Sequence, residues 1–187
     1  MRKILFDRSS REIQPLRQLV ERQDHRTLVL WALSCGGEFV ELYESRVSGD
    51  PRPRLALEAA RAWARGEIRM PEARGAALAA HRAAGEHEDD PVACAAARVT
   101  GHVVGTVHVE THALGLVFYG LTALVYKARE DRQEEGPVVD EALERWSLKL
   151  AEPGENPEME EGPWAGFLLK EKPNRERLLR EKQERRK

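Results

Sequence analysis

The chain has 187 residues, 41% hydrophobic and 33% charged, and its formal net charge is −2. A chain of this length and composition can bury a hydrophobic core without disulfides or structural metal. No apolar run approaches the roughly 20 residues of a membrane-spanning helix, and the amino terminus lacks the apolar stretch of a secretory signal. The near-neutral charge argues against a strongly basic nucleic-acid binder. We therefore expect a soluble, cytoplasmic protein with no membrane or nucleic-acid partner.

The first two predicted helices cover residues 10–23 and the stretch that follows Asp24, which is placed to cap the second helix. Apolar residues in the second helix recur at the spacing of one helical face, namely Leu28, Trp31, Ala32, Cys35, Phe39 and Leu42. Gly36 and Gly37 interrupt this face, and each glycine costs about 1 kcal/mol relative to alanine. Either a neighbouring helix approaches closely at the pair, or the helix breaks there.

The stretch from Ala56 to Ala97 contains 16 alanines and is predicted to be helical, since alanine is the best helix former. It follows a turn at 48–53, where two prolines disfavour helical backbone. Gly66 is predicted to end one helix, and Pro71 to begin the next.

A strong helix start is predicted at Asp90 and Pro91, because an aspartate cap followed by proline suits the first helical turn. The mainly apolar run that follows is longer than a usual globular helix, so we predict a break at 109–112, with Thr111 or a neighbour capping the next helix. The valines at 103–109 would also suit a strand, but no second β-rich run exists to pair with them. A further helix is predicted over 138–150.

The composition changes after Ala151. Residues 152–161 contain five glutamates and two prolines and resemble a solvated linker. In the apolar island that follows, Trp164 and Phe167 are predicted to pin the tail onto the body. The last 18 residues carry +5, so residues 1–169 carry −7. We expect the tail to be a solvated terminal helix; docking to a partner or second subunit, and contact with phosphates, are the alternatives.

These patterns predict an all-α fold of six to eight helices with a charged C-terminal extension. Residues 1–150 would form the helical domain, and residues 151–187 would form the acidic linker and basic tail.

Histidines are the only candidates for chemistry, and four of them lie in the Ala-rich and Val-rich helices: His81, His102, His108 and His112. His108 and His112 share a face if their helix is continuous, which would provide half of a metal site. His102 points about 120° away from His108 on the same helix, so a third ligand must come from His81 or from another helix. Histidines packed at helix interfaces are the simpler interpretation.

Other features favour structural roles. Cys35 and Cys94 fit no metal spacing and are predicted to be buried small hydrophobes, with a disulfide, a nucleophile or a metal ligand as alternatives. Gly101 and Gly105 form a small-residue ridge that suits close helix packing or self-association. Phosphate-binding loops and catalytic signatures are missing from the sequence. We therefore expect a protein that is not an enzyme and needs no cofactor.

Seven short segments follow one another in a recognisable order: LWALSC at 30–35, DPRPR at 50–54, AARAWARGEI at 59–68, AAH at 79–81, GH at 101–102, TVH at 106–108 and THA at 111–113. In this order they resemble the immunity proteins of bacterial polymorphic toxin systems, and most closely the immunity-like family numbered five. The resemblance covers about residues 25–130. Its most specific part contains Asp50, Pro51, Arg52, Pro53, Arg54, Trp63, Arg65 and Gly66. From the residues alone, the arginines and Trp63 are expected to form a structural cluster, with a binding surface as the alternative.

The resemblance implies a helical protein that binds and neutralises a cognate toxin by occlusion. The acidic body suits a basic toxin, such as a nuclease. We hypothesise that the acidic loop contributes to the toxin-facing surface through Glu86, Glu88, Asp89 and Asp90, although a solvated capping loop is the simpler interpretation. The alternative functions are a metal-dependent helical enzyme that uses the histidines, and a homo-oligomeric scaffold or regulator; a homodimer is also considered.

Overall fold

The computed structural model describes residues 4–151 and 163–185. Eight α-helices and one 3-10 turn occur in these two ranges, and neither range contains a strand, which confirms the all-α prediction. In chain order they are α1 (Gln14–Arg22), α2 (His25–Glu44), α3 (Arg52–Ala64), α4 (Met70–Glu86), α5 (Pro91–His108), the 3-10 turn (Glu110–His112), α6 (Ala113–Glu130), α7 (Glu135–Ala151) and α8 (Arg175–Glu184).

Helix α5 lies at the centre of the bundle and packs against α2, α3, α4 and α6. Its sequence is built almost entirely from alanine, valine, glycine and threonine, and two thirds of its residues are buried. Small side chains let neighbouring helices come close, and this explains how one helix can be surrounded on four sides. None of the described helices is long and apolar enough to cross a membrane.

Two tryptophans anchor the other side of the core, where α2, α6 and α7 meet. The indole nitrogen of Trp31 donates a hydrogen bond to the backbone carbonyl of Trp146 at 2.9 Å, and the indole nitrogen of Trp146 donates to Glu38 at 2.9 Å. A Cβ at Gly120 would lie 2.8 Å from the ring of Phe39 and 2.9 Å from Trp146. Both polar indole groups are therefore satisfied although the two rings are fully buried.

The predicted helix boundaries at aspartate and glycine are confirmed. Asp24 accepts a hydrogen bond from the backbone nitrogen of Thr27 at 2.8 Å, and Asp90 accepts from the first turn of α5. Gly66 ends α3 with a positive φ of 78°, and its amide donates to the carbonyl of Trp63. The amide of Glu67 reaches back to Ala62, which completes a Schellman motif.

Helix α2 runs without a break through the Gly36–Gly37 pair, and neighbouring helices approach it closely at the first of these glycines. A Cβ at Gly36 would lie 3.0 Å from Val103 of α5 and 3.1 Å from Leu57 of α3, whereas nothing lies within 4 Å of a Cβ at Gly37. Close approach therefore explains the first glycine only.

The predicted break between α5 and α6 is confirmed, but no side chain caps α6. The 3-10 turn separates the two helices, and His112, the neighbour of Thr111, occupies the N-cap position of α6. No side chain accepts a hydrogen bond from the first turn of α6. The helical backbone of the 3-10 turn instead continues directly into α6, and its carbonyl groups serve as acceptors at the start of that helix.

The chain that follows residue 162 returns to the body. Its amide at Ala165 donates to the carbonyl of Ala64 at 2.8 Å, and the ring centroid of Phe167 lies 5.7 Å from that of Trp63. The guanidinium of Arg26 lies over the ring of Trp164. These contacts confirm that the two aromatic residues hold this segment against the bundle. The linker predicted at 152–161 lies outside the described residues.

Helix α8 is anchored to the bundle by buried polar groups, which the prediction of a solvated tail missed. The side-chain amide of Asn174 donates to the carbonyls of Val20 and Gln23 at the end of α1, while its oxygen accepts from the first turn of α8. Glu176 is fully buried and pairs with Arg8 and Arg17. One asparagine thus caps the ends of two helices, and one buried carboxylate fixes their relative position.

Candidate functional site

Several helix ends meet at one end of the bundle, and ion pairs join them. The guanidinium of Arg46, just after α2, donates to Asp90 at the start of α5 and to Glu130 at the end of α6. Arg129 of α6 pairs with Glu135 at the start of α7. We call this end, formed by residues 41–54, 86–90 and 127–135, the ionic end.

The DPRPR turn lies at the ionic end and is organised around Asp50. This carboxylate accepts hydrogen bonds from the backbone amide and the Nε of Arg52, and from the hydroxyl of Tyr43 at 2.7 Å. The Arg52 guanidinium holds the pKa of Asp50 well below its ordinary value. Burial, reinforced by the Asp50 carboxylate, raises the pKa of Tyr43. At neutral pH the turn therefore contains a fixed carboxylate and a protonated phenol that donates to it.

The same Arg52 extends from the turn to the end of α4. Its Nη1 donates to Glu86 at 2.9 Å, and this contact lowers the pKa of the Glu86 carboxyl. Arg54, two residues further along the chain, pairs with Glu44 of α2. The arginines of the resembling motif thus bridge carboxylates on neighbouring elements and hold the turn in place.

The acidic loop of the hypothesis is part of this network. Glu86 and Asp90, at its two ends, are paired with Arg52 and Arg46, and Asp90 also caps α5. Glu88 and Asp89 lie between them and are exposed. The loop is therefore held at both ends and presents its middle to solvent.

The ionic end is acidic overall. Residues 41–54, 86–90 and 127–135 contain eleven carboxylates and six arginine or lysine side chains, which gives a formal charge of −5. Four of those carboxylates belong to the acidic loop. Most of the negative charge that the body carries is concentrated on this one end.

The remaining residues of the motif lie at the opposite end of α3. Trp63 is 7% exposed and stacks against the ring of His108, with centroids 6.0 Å apart. Arg65 and Gly66 belong to the turn that ends this helix, and a Cβ at Gly66 would lie 3.4 Å from the Cα of Ala165. The eight motif residues therefore form two separate groups, one at each end of α3.

The four histidines do not form the group that a continuous helix would give. Because α5 ends at His108, the helix is not continuous through His112, and the two residues do not share a helix face. Instead the rings of His81, His102 and His112 lie together, with centroid distances of 5.6 Å and 5.5 Å from His102 to the other two. We call these three residues the histidine cluster.

Each ring of the histidine cluster lies against a glycine of a neighbouring element. A Cβ at Gly101 would lie 2.5 Å from His81, and one at Gly105 would lie 2.7 Å from His112. A Cβ at Gly115 would collide with the ring of His102. The Gly101–Gly105 ridge is thus used for close packing within the bundle, and its neighbours are imidazole rings.

No group of three or more His, Cys, Asp or Glu side chains in residues 4–151 and 163–185 is arranged to hold a metal ion. Cys35 is buried and Cys94 is partly buried, and the two do not form a disulfide. Burial raises the pKa of the Cys35 thiol to about 12, so this group stays protonated at neutral pH. The described residues thus offer a charged, organised surface at the ionic end but no assembled metal site.

The family described as "Imm-5 like putative immunity protein" matches this chain over residues 18–150. The match is wider than the predicted 25–130, because it also takes in part of α1 and nearly all of α7, whereas α8 lies beyond it. No curated protein and no solved structure matches the chain.

Proposed function

Because this chain belongs to the Imm-5 like family of immunity proteins, we propose that it binds a cognate bacterial toxin and neutralises it by occlusion, without catalysis. The family match over more than two thirds of the chain is the single observation that carries this proposal. The proposed site of action is the bacterial cytoplasm, and the proposed partner is a protein with a basic surface.

Occlusion requires a surface that is already rigid when the partner arrives, since ordering a loop during binding costs affinity. The ionic end meets this requirement. Arg52 and Arg46 hold the two ends of the acidic loop, and Asp50 and Tyr43 hold the turn beside it. We propose that the toxin contacts the loop, with Glu86 and Asp90 acting as supports and Glu88 and Asp89 facing the partner.

The concentration of charge supports a basic partner. An acidic surface accelerates association with a basic one and disfavours partners of like charge. A nuclease is one such partner, because a surface that attracts phosphate is basic. In the proposed complex the acidic loop would cover that surface and exclude the nucleic acid.

The test is a protection experiment in cells. The toxin domain encoded beside this chain's gene is expressed in a bacterium, with and without the full chain. We expect full growth when the chain is present. The Glu88→Lys, Asp89→Lys variant should protect less, whereas the control Glu141→Lys, Glu144→Lys on the exposed face of α7 should protect as the wild type does.

Titration in vitro separates occlusion from catalysis. If the chain acts by occlusion, toxin activity falls in proportion to the amount added and vanishes near one equivalent. Complete inactivation by a small fraction of an equivalent would overturn the non-catalytic proposal. Failure of the full chain to protect cells from this toxin would overturn the immunity role.

A further inference from the structure

The histidine cluster joins three elements of the bundle. His81 comes from the middle of α4, His102 from α5 and His112 from the 3-10 turn. The ring of Tyr119 on α6 stacks on His102, with centroids 5.2 Å apart. The cluster thus lies where α4, α5 and α6 meet the turn.

The geometry of the cluster limits how many protons it can hold. The Nδ1 atoms of His102 and His112 are 3.3 Å apart, so one of them donates to the other. If both rings were protonated, two N–H groups would point at each other across this distance. His81 has a buried Nδ1 without a hydrogen-bond partner among the described residues, so a proton there would find no acceptor.

The charged groups around the cluster also oppose a positive charge. Arg98 and His108 on α5 and Arg8 in the segment before α1 act on the three rings, and each of them lowers the pKa of at least one ring. The neighbour from α6 is the neutral Tyr119. Glu110 shares the 3-10 turn with His112, but its carboxylate faces His25 and the amide of Arg175.

Burial and these neighbours lower the pKa of each ring. Burial lowers the pKa of His81 to about 4 and, together with His112, the pKa of His102 to about 3. The pKa of His112 is also lowered, mainly by burial. A histidine in the unfolded chain has a pKa of about 6.5, so in mild acid the unfolded chain binds protons that the folded cluster does not bind.

The 3-10 turn connects the cluster to helix α8. His112 extends from the turn into the cluster, while Glu110, two residues earlier, accepts a hydrogen bond from the backbone amide of Arg175 at 2.7 Å. The turn is only three residues long and is stabilised by few hydrogen bonds of its own, so it is the element of the three that can move at least cost.

We propose that the histidine cluster is a proton-sensitive latch: acidification separates the 3-10 turn from α5 and thereby loosens the attachment of α8. In neutral solution the rings are uncharged, the turn is closed and α8 is anchored. In mild acid both rings of the His102–His112 pair become positively charged, and the turn opens. This behaviour is independent of toxin binding.

The first test compares the unfolding equilibrium of the full chain at pH 7.5 and pH 5.0 by urea titration. For each proton that the unfolded chain binds and the folded cluster excludes, the equilibrium constant of unfolding is about 30-fold larger at pH 5.0 than at pH 7.5. The His112→Gln variant, which cannot form the doubly charged pair, should show a pH-dependent increase at least about tenfold smaller than the wild type's. An equal increase in both proteins would overturn the proposal.

The second test locates the opening by amide hydrogen exchange, corrected for the intrinsic effect of pH. At pH 5 we expect amides at 109–115 and 175–178 to lose protection while the centre of α5 keeps it. The control is His87→Gln at the ionic end, which should behave as the wild type does. If His112→Gln fails to fold, His102→Gln replaces it, because it also removes the His102–His112 pair. A uniform loss of protection along the chain would contradict the latch.

Discussion

Arg52 and Glu86 lie side by side across the ionic end, with the guanidinium Nη1 2.9 Å from the carboxylate, and they join the start of α3 to the end of α4. Arg52 also holds Asp50 in its own turn. The DPRPR turn and the acidic loop are therefore one rigid unit, although 34 positions separate the two residues.

Replacing Arg52 should weaken this unit. The Arg52→Gln substitution leaves the partly buried Asp50 without its main partner, and we expect a loss of about 1–2 kcal/mol in the free energy of unfolding at pH 7. Because the folded-state pKa of Asp50 is lowered, its contribution is present above about pH 4 and declines as the pH falls below that value. The variant should therefore differ least from the wild type in strong acid.

The matched control for this prediction is Arg54→Gln. Arg54 is 49% exposed and pairs with Glu44 at the surface, so its loss should destabilise the fold less than the loss of Arg52 does. Urea unfolding of both variants measures the difference. Equal losses for Arg52 and Arg54 at pH 7 would show that the turn does not depend on the bridge.

The packing of glycine against histidine predicts opposite effects for two Gly→Ala substitutions. In Gly115→Ala the new methyl group collides with the ring of His102, and we expect a loss of about 1–3 kcal/mol. In Gly75→Ala, on an exposed face of α4, nothing lies within 4 Å of the added Cβ. This control should gain about 0.5–1 kcal/mol from helix propensity.

A double-mutant cycle separates the collision from a general effect of alanine at position 115. In a His102→Ala background the ring is absent, so the loss in the free energy of unfolding caused by Gly115→Ala should be smaller by at least about 1 kcal/mol. Independent substitutions add to within about 0.5 kcal/mol, so this difference is large enough to be measured. Additive losses would contradict the proposed contact. Thermal or urea unfolding of the four proteins gives the coupling free energy.

The attachment of α8 should depend on one buried carboxylate. The Glu176→Gln substitution removes the charge that Arg8 and Arg17 share, and a hydrogen bond to a charged group is worth about 1.5–3 kcal/mol. We expect trypsin to cleave after Lys170 and at the basic residues of α8 at least about tenfold faster, while residues 4–151 stay protected. Glu181→Gln, at an exposed position of α8, is the control. Equal cleavage rates would show that Glu176 does not anchor the helix.

Local sequence signals predicted most of the helix boundaries because their causes are local. Asp24 and Asp90 cap the amides of the next few residues, and Gly66 supplies a positive φ within its own turn. The break after α5 was also predicted, from the length of the apolar run. The exact form of the break was not predictable, because the 3-10 turn is stabilised by its packing between α5, α6 and α8.

The sequence did not reveal the two arrangements that depend on distant residues. Glu176 lies in a tail rich in alternating charges and looks solvated, yet its partner Arg8 is 168 positions away. The histidine cluster combines α4, α5 and the turn, and it forms because α5 ends at His108 and the chain turns back. The sequence contains the histidines and glycines that pack against one another in this cluster. The order of the helices along the chain does not show which histidine lies against which glycine.

The most direct test of the central claim is calorimetric titration of a purified toxin candidate, taken from the reading frames beside this chain's gene, with the full chain. The immunity role predicts a one-to-one complex with a dissociation constant of about 10 nM or tighter that weakens with added salt. The Glu88→Lys, Asp89→Lys variant should bind at least about tenfold more weakly, and Glu141→Lys, Glu144→Lys should bind as the wild type does. Absence of heat from binding in the wild type would contradict the immunity role, and unchanged affinity in the acidic-loop variant would contradict the assignment of the surface.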